Sequence, residues 1–389
     1  MKNEYGFDVV ALTQGPRHHF FGYFDIQTCD STGKYVLAME SDFDDRFPTA
    51  DDTATIGMAE WETKRFHPLA ETRAWNPQQG CMLHWLPTAP DRKIIYNDRD
   101  GDRFVAVVLD VFSGEKRVLP KPVAALTNDG RVALSLNYAR LRQCRRTVGY
   151  SGLDDPNFHV PHPSDDGLFV LDLETGKYRL LCSYEQAFEL NPLPDARNST
   201  MWFNHPTVNT DDSRVSWVVR YLTEDGPWIA KSAFLVADMN GAGLKFLTPY
   251  DNVSHHDWFD PERILVWTDL DGRGECFNLL NVVTGESKAV ARDDILQDGH
   301  CAFSGDRRRL VVDSYASNSP EKLQTLFLWD MQQEHLEVMG RFHQPPYAVA
   351  EWKCDLHPRW DRHDRWIVFD STHEGSRQMY AIDTSAASW

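Results

Sequence analysis

The stretch Phe169-Val-Leu-Asp-Leu-Glu-Thr-Gly-Lys-Tyr-Arg-Leu-Leu (residues 169–181) holds two β-rich runs around a Gly-containing turn. This pattern is the usual sequence signal of a β-hairpin. Residues 107–119, Val107-Val-Leu-Asp-Val-Phe-Ser-Gly-Glu-Lys-Arg-Val-Leu, repeat the same arrangement. In both stretches the first run reaches an Asp shortly before the turn, which indicates repeated copies of one small unit.

Each unit also contains a third run, which precedes the hairpin. This run is apolar and β-branched, and it begins with a basic residue. Seven such runs begin at Lys34, Lys93, Arg131, Arg214, Arg263, Arg309 and Arg365. Their spacing of roughly fifty residues is typical of four-stranded propeller blades. We therefore predict one all-β domain over residues 1–389, a seven-bladed β-propeller of antiparallel blades. Two separate β-sandwiches would not account for seven matching units.

The ends of the chain predict how the ring closes. The last unit stops at Tyr380-Ala-Ile-Asp after three strands, and Phe7-Asp-Val-Val-Ala-Leu is expected to supply the missing outer strand. Such closure leaves no sticky sheet edge. Helical periodicity is expected only near residues 184–190. Two long insertions, 138–167 and 185–203, are the loops in which binding is expected.

Composition narrows the function classes. Forty basic and fifty-eight acidic residues give a net charge of −18, which disfavours nucleic acid and anionic membranes as partners. We see no signal peptide and no apolar run long enough to span a membrane. The seven scattered cysteines form no CxxC pair and suit a reducing compartment, so a cytoplasmic location is expected.

Histidines recur at one position of the repeat. Five units place a His seven to nine residues before the basic residue: His84, His205, His256 (beside His255), His300 and His357. Counting back from the basic residue through the turn places these histidines near the start of the innermost strands. Because the blades are arranged radially around the channel, we expect the histidines to lie together at one mouth of it. The second strands end there in polar residues, so the mouth suits a divalent metal such as Mn, Zn or Fe. Because the units at Lys34 and Arg131 lack the His, a packing role shared by all seven is disfavoured.

Other signals leave alternatives open. The arginines between Arg140 and Arg146 form either a solvated face or an anion-binding loop. The sequence has no GxSxG segment, which weakens a serine hydrolase reading.

Four segments carry a resemblance to a known family. They are Asn204-His-Pro-Thr-Val, His255-His-Asp-Trp-Phe, Gly299-His-Cys and Cys354-Asp-Leu-His-Pro-Arg-Trp. Over residues 200–389 the chain resembles bacterial oligogalacturonate lyase, a seven-bladed propeller that cleaves short uronides by β-elimination with a bound divalent metal. The first half, with Arg17-His-His-Phe-Phe-Gly-Tyr-Phe-Asp, looks closer to propeller lyases of the ulvan type.

The resemblance implies roles for individual residues. The proposed base falls on His256, and the metal ligands fall on His300 and His357. The first His of the family's His-Pro-His segment is Asp355 here, so that ligand would become a carboxylate.

Further catalytic candidates follow from the same resemblance. The family's catalytic Arg falls near Lys231, so that role goes to Arg220 or Lys231. His205 lies in a matching segment. The ulvan-type likeness adds His84 and Tyr138 as donors of a proton to the leaving oxygen.

The implied function is a metal-assisted lyase acting on an acidic, uronic-acid-containing oligosaccharide. Mn²⁺ is the expected cofactor, with Zn²⁺ or Ca²⁺ as alternatives. Two other functions fit the sequence: a propeller glycoside hydrolase on uronide-containing sugars, and a non-catalytic binding scaffold similar to TolB-type propellers.

Overall fold

The computed structural model describes residues 2–223, 226–347 and 351–387. In these ranges the strands form seven antiparallel sheets of four strands each, and each sheet is one blade. The predicted seven-bladed β-propeller is therefore confirmed. We number the blades in chain order and give their strands from the innermost outward.

The first three blades occupy the first half of the chain. Blade 1 comprises His18–Phe20, Tyr35–Ser41, Ala54–Glu60 and Phe66–Thr72. Blade 2 comprises His84–Trp85, Lys93–Asp100, Arg103–Asp110 and Lys116–Leu119. Blade 3 comprises Ala125–Leu126, Val132–Ser135, Gly167–Asp172 and Tyr178–Ser183.

The next three blades follow without a break in the pattern. Blade 4 comprises Met201–Val208, Arg214–Thr223, Gly226–Asp238 and Lys245–Phe246. Blade 5 comprises Val253–Trp258, Arg263–Thr268, Cys276–Asn281 and Ser287–Val290. Blade 6 comprises Cys301–Phe303, Arg309–Asp313, Leu323–Asp330 and His335–His343.

Blade 7 is assembled from both ends of the chain. Its inner strands are Arg359–Trp360, Trp366–Ser371 and Gln378–Asp383, and its outer strand is Val9–Ala11. Val9 pairs with Ile382 and Ala11 with Tyr380. The predicted closure is confirmed: the N-terminal strand covers the edge that the last hairpin would otherwise expose.

The Asp that ends the third strand of several blades has a structural role. The Asp172 carboxylate accepts hydrogen bonds from the backbone N–H groups of Glu174 and Thr175, at 3.1 and 2.7 Å. Gly176 follows at φ 72°, a left-handed conformation that glycine adopts without strain. Asp110, Asn281 and Asp330 cap the equivalent turns of other blades in the same way. The repeated sequence pattern thus encodes the hairpin turn.

Apolar side chains from adjacent blades fill the spaces between the sheets. Leu37, Ile94, Leu134 and Val219 are examples from second strands, each fully buried. Burial of this apolar surface is the main stabilising contribution. All seven cysteines are free and buried among these residues.

Within the described ranges two short α-helices interrupt the strands, and both lie at the start of an insertion. Helix α2, Tyr184–Leu190, coincides with the predicted helical segment and starts with a capping box between Ser183 and Gln186. Helix α1, Tyr138–Cys144, was not predicted; like α2 it has seven residues, a length at which helical periodicity is a weak signal. The 3₁₀ turns of the described residues cover Pro194–Ala196, Ala316–Asn318 and Thr384–Ala386. In the described part of the chain no helix has the length and hydropathy of a membrane span.

Candidate functional site

A loop from blade 1 occupies the centre of the propeller. Residues 21–27 follow the innermost strand of that blade, and two of them, Tyr23 and Phe24, pack against histidines of the later blades. The ring centroids of Tyr23 and His205 are 4.6 Å apart, and those of Phe24 and His300 are 5.2 Å apart. Gly22 permits this path: at φ 127° it lies against the backbone of Gln79, where a Cβ would come within 2.7 Å. We call residues 21–27 the central loop.

The central loop separates two openings of the channel. Tyr23 faces a cavity of about 450 Å³ that is lined by residues near the starts of inner strands, including His205, His255 and His300. Phe24 faces an opening of about 500 Å³ lined by residues at the ends of those strands, such as Trp258. We call the first space the histidine cavity and the second the far opening.

Three residues at the histidine cavity form a candidate metal centre. One ligand atom each from His300, Asp355 and His357 lies within 4.8 Å of the others, and all three residues are buried. Neither ring nitrogen of His357 has a hydrogen-bond partner in the described structure, and neither does one carboxylate oxygen of Asp355. Buried polar atoms without a partner are costly, so this set is suited to a ligand that engages them. Two imidazoles and a carboxylate suit Mn²⁺ or Zn²⁺.

Asp313, at the end of the second strand of blade 6, orients two of these ligands. Its carboxylate accepts hydrogen bonds from the backbone N–H of His300 at 2.7 Å and of His357 at 3.1 Å. The Nδ1 atom of His300 lies 3.0 Å from the same carboxylate. A carboxylate accepts hydrogen bonds, so Nδ1 carries the proton and Nε2 is left as the ligand atom. This arrangement is typical of the supporting shell of a metal site.

Backbone irregularities turn histidines towards the cavity. His205 and His357 have φ values of 47° and 45°, in the left-handed region that bulky residues rarely adopt. The strand pairing also shifts register between Asn204 and Thr207, and again between Val253 and His256. Bulges of this kind re-aim side chains and are frequent beside active sites. Strained histidines at a cavity are consistent with function, because such strain persists where the surroundings enforce it.

His255 and Asp298 form a pair in the cavity wall. The Nδ1 atom of His255 lies 2.9 Å from the Asp298 carboxylate, and its Nε2 atom lies 3.5 Å from the Tyr315 hydroxyl. Burial lowers the pKa of His255 to about 4, so the ring is neutral near pH 7. With Nδ1 protonated towards Asp298, Nε2 is free to accept a proton.

Basic side chains also line the cavity. Arg220 lies on the second strand of blade 4 and lines the histidine cavity, where it donates a hydrogen bond to the Val253 carbonyl at 3.3 Å. Burial lowers the pKa of Arg220 to about 10, so it still carries its charge at neutral pH. Lys353 lies 3.0 Å from Asp355. In a chain with a net charge of −18, these basic side chains are a local concentration of positive charge beside the carboxylates of the lining.

The predicted site residues do not all meet in this cavity. His205, Arg220, His300 and Asp355 line it, and His357 completes the metal group beside them. The ring of His256 instead lies in the wall, 4.2 Å from the His205 ring and 4.7 Å from Phe234.

His84 lies at the far opening, on the other side of the central loop. The physical reason is the length of the turn after the inner strand. In blade 6 the turn is closed by the Ser304 N–H donating to the Arg309 carbonyl, whereas in blade 2 Leu86 donates to Lys93. The turn of blade 2 is therefore two residues longer than that of blade 6. Counting the same number of residues back from the basic residue thus reaches a position that lies two residues further along the inner strand, and His84 occupies it. Cys81 takes the position that His300 has in blade 6.

Two further predicted residues lie away from the cavity lining. Tyr138 begins α1, is buried, donates its hydroxyl proton to the Val123 carbonyl at 3.0 Å and stacks on Tyr150. Lys231 is exposed and pairs with Asp195 at 3.4 Å. The structure therefore distinguishes between the two candidate cations of blade 4, since Arg220 faces the cavity and Lys231 does not.

The Arg140–Arg146 stretch combines structural and cavity-facing residues. Arg140 is fully buried, pairs with Asp155 at 3.0 Å and donates to four backbone carbonyls, three of them in its own insertion. Arg145 lines the histidine cavity, and Arg146 pairs with Glu351 at 2.9 Å. Neither a solvated face nor a simple anion-binding loop describes the whole stretch.

Sequence reasoning passed over several cavity residues. Asp298 precedes His300 by two residues, and this Asp-Gly-His spacing was the only local sign of its role. Tyr23 and Tyr315 showed no pattern of their own, since the contacts that bring them to the cavity join distant parts of the chain.

Comparison with known proteins finds similarity in fold. No protein-family model and no curated protein matches the sequence. A crystal structure of oligogalacturonate lyase from Vibrio parahaemolyticus matches with a TM-score of 0.69 at 15% identity, covering 99% of this chain and 96% of that one. An oligogalacturonate lyase in complex with manganese matches with a TM-score of 0.70 at 17% identity, covering 98% and 94%. The β-propeller domain of the Trilobed protease from Pyrococcus furiosus is more distant, with a TM-score of 0.52 at 11% identity over 93% and 95%.

The resemblance to oligogalacturonate lyase is thus confirmed as a shared fold. It extends over nearly the whole chain rather than over residues 200–389 alone. At these identities the comparison carries the architecture, and the chemistry must be argued from the side chains of the cavity.

Proposed function

We propose that this protein is a metal-dependent lyase that cleaves uronic-acid-containing oligosaccharides by β-elimination. The observation that carries the proposal is the meeting of His255–Asp298, the His300/Asp355/His357 group and Arg220 at one cavity. A base, a candidate metal centre and a fixed cation are the three parts that this reaction requires. The structural likeness to a manganese-bound oligogalacturonate lyase supports the same class.

The reaction removes the proton at C5 of the uronate, next to its carboxylate, and breaks the bond between C4 and its oxygen. A C4–C5 double bond forms, and the leaving oxygen takes up a proton. The C5 proton is weakly acidic, so negative charge that develops on the carboxylate must be stabilised.

We assign the base to His255 instead of His256. The His255 ring lines the cavity and is neutral at pH 7, and Asp298 fixes its orientation through Nδ1. Removal of the C5 proton by Nε2 leaves an imidazolium that the Asp298 carboxylate stabilises. General-base catalysis of this kind contributes about 10²- to 10⁴-fold to the rate.

The partnerless nitrogens of His357 and the partnerless oxygen of Asp355 fit a divalent metal, with His300 as a further ligand. When bound, Mn²⁺ or a similar ion supplies the positive charge that neutralises the substrate carboxylate. Arg220 adds a permanent charge from the neighbouring wall. Zn²⁺ or Ca²⁺ remain alternatives for the same ligands.

In this scheme Tyr315 donates a proton to the leaving oxygen. Its hydroxyl lies next to His255, and burial raises its pKa well above the usual range, so it holds its proton at neutral pH. His205 has a different position, with Nε2 at 3.2 Å from Asp25 of the central loop. We assign to His205 the role of holding the central loop in place beside the histidine cavity.

We also propose that the enzyme acts in the cytoplasm on short fragments. Seven free, buried cysteines suit a reducing compartment. A cavity of about 450 Å³ is in the size range of small-ligand sites and suits a short oligosaccharide.

Ultraviolet absorbance during incubation with a panel of uronide oligosaccharides tests the proposal. With Mn²⁺ present, the absorbance of the conjugated double bond should increase with time, and this increase should stop after chelation. Cleavage without absorbance would show hydrolysis instead. Silence across the panel together with no bound metal would favour the binding scaffold.

A further inference from the structure

The cations and carboxylates of the histidine cavity are not all joined in ion pairs. Asp355 pairs with Lys353 and Glu351 with Arg146, whereas Asp298 hydrogen-bonds to His255, whose ring is neutral near pH 7. The remaining cations of the lining are Arg145 and Arg220.

Both of these guanidinium groups have only neutral acceptors. Arg145 donates through Nε to the Thr147 hydroxyl at 3.3 Å, and Arg220 donates to the Val253 carbonyl at 3.3 Å. Neither forms an ion pair with a described residue. The Asp298 carboxylate acts on Arg220 electrostatically, and the guanidinium of Arg145, held by one neutral acceptor, keeps N–H donors for an anionic group of a ligand.

The two arginines approach the cavity from different elements. Arg220 belongs to the second strand of blade 4, whereas Arg145 is the C-cap residue of α1 in the blade 3 insertion. The charge of Arg145 adds to burial in lowering the pKa of Arg220, which agrees with their facing the same space. Arg220 is partly buried and Arg145 is exposed, so Arg145 lies nearer the rim of the cavity.

The insertion holds Arg145 in a fixed place even though its side chain is exposed. Five residues before it, Arg140 is buried and anchors α1 through Asp155 and backbone carbonyls. Directly after it, Arg146 ties the insertion to Glu351, on the segment that also carries Asp355. An arginine supported on both sides can bind an oxyanion with less loss of side-chain entropy than a free surface arginine.

We propose that Arg145 determines specificity by binding an acidic group on the sugar next to the one that reacts. This inference rests on the proposed function, which places the reacting uronate at the metal group and Arg220. The acidic group is an oxyanion, either the carboxylate of a second uronate or a sulfate ester. A planar guanidinium binds both through paired N–H donors.

Direct binding tests this role separately from catalysis. Isothermal titration in a His255→Ala background compares three disaccharides that share the reacting uronate. The neighbouring sugar is a second uronate, a sulfated neutral sugar or an unsubstituted neutral sugar. Arg145→Ala should weaken binding of the acidic-neighbour sugars about tenfold or more and change binding of the neutral-neighbour sugar less than about twofold.

Two further variants sharpen the result. Arg145→Lys should restore part of the lost affinity, because it keeps the charge and loses the paired donors. Arg131→Ala, an exposed arginine of blade 3 outside the cavity, should behave as the parent for all three sugars. Whichever acidic sugar shows the larger loss in Arg145→Ala identifies the source of the oxyanion.

The outcomes separate the two proposals. Equal loss for all three sugars, or no loss for any, overturns the role of Arg145, whether or not the wild-type protein forms the unsaturated product. Loss confined to the acidic-neighbour sugars, with no product from the wild type, supports Arg145 and overturns the lyase. If no sugar binds, both are overturned.

Discussion

The two openings of the channel are built from opposite ends of the same inner strands, yet they differ in how their polar groups are arranged. At the far opening, the indole N–H of Trp85 donates to the Thr28 carbonyl at 2.9 Å, and that of Trp360 donates to the Ala302 carbonyl at 3.0 Å. At the histidine cavity, both nitrogens of His357 are buried without a partner. His84 Nε2 and Trp258 Nε1 of the far opening are also buried without a partner, but in the described residues neither belongs to a group of three potential metal ligands. The unpartnered atoms of the cavity belong to such a group, whose ligand atoms lie within 4.8 Å of one another.

Satisfied and unpartnered polar groups in a repeat protein should respond differently to substitution. A group that is hydrogen-bonded between blades contributes to stability, and its loss is felt as unfolding. A buried group with no partner lowers stability unless a ligand engages it. Variants at the two openings should therefore affect different measurements.

The largest effect is expected from His300→Ala. Loss of this ligand should abolish stoichiometric Mn²⁺ binding and lower the elimination rate by about a thousandfold or more, as the metal contributes several kcal/mol. Metal analysis of the purified variant and the absorbance assay measure the two effects. Full metal content with full activity would remove His300 from the metal centre.

His255→Ala should follow, with a rate lower by about a hundredfold to a thousandfold and the metal retained. The matched control is His256→Ala, the adjacent histidine whose ring lies in the wall. We expect that control to lower the melting temperature but to keep the rate per folded molecule within about tenfold, since its ring does not line the cavity. The reverse order of the two rates would return the base to His256.

Asp313→Asn should have an intermediate effect. It keeps the size of the side chain but weakens the acceptor that orients His300 and His357. Loss of an orienting carboxylate costs about 10- to 100-fold in metal affinity. Titration with Mn²⁺ measures it, and an unchanged affinity would show that Asp313 supports only the backbone.

Trp360→Phe tests the far opening through stability. The variant loses the hydrogen bond to the Ala302 carbonyl and should lower the free energy of unfolding by about 1 to 3 kcal/mol. Its Mn²⁺ affinity and rate should equal those of the wild type below the transition. A change in metal affinity without a loss of stability would contradict the separation of the two openings.

The smallest effect on activity is expected from His84→Asn. The residue lies on the far side of the central loop from the candidate metal centre. We expect the elimination rate to remain within about twofold of the wild type in the absorbance assay. A hundredfold loss would place a catalytic group at the far opening.

Prediction from the sequence succeeded where a residue's position follows from its own repeat. The segment closing blade 7 was correct because an incomplete last blade leaves a single way to satisfy its edge. His300, Asp355 and His357 were placed together by the motif resemblance, and the structure brings their ligand atoms to one point. The metal itself stays a prediction.

Prediction failed to locate residues whose direction depends on local irregularity. Counting back from Lys93 took no account of a longer turn, which moves His84 towards the far opening. His255 and His256 are adjacent, so they point to opposite faces of a strand, and the register shift after Val253 decides which one lines the cavity.

The sequence alone determined the number of blades, the closing strand and the recurrence of histidines at one position of the repeat. These follow from turn chemistry and residue spacing, which act over a few residues and are repeated along the chain. The tertiary structure decided which histidine faces the cavity, how Asp298 and Tyr315 reach His255, and how the central loop divides the channel. Those features depend on contacts between segments far apart in sequence, and a turn longer by two residues or one bulge is enough to redirect a side chain.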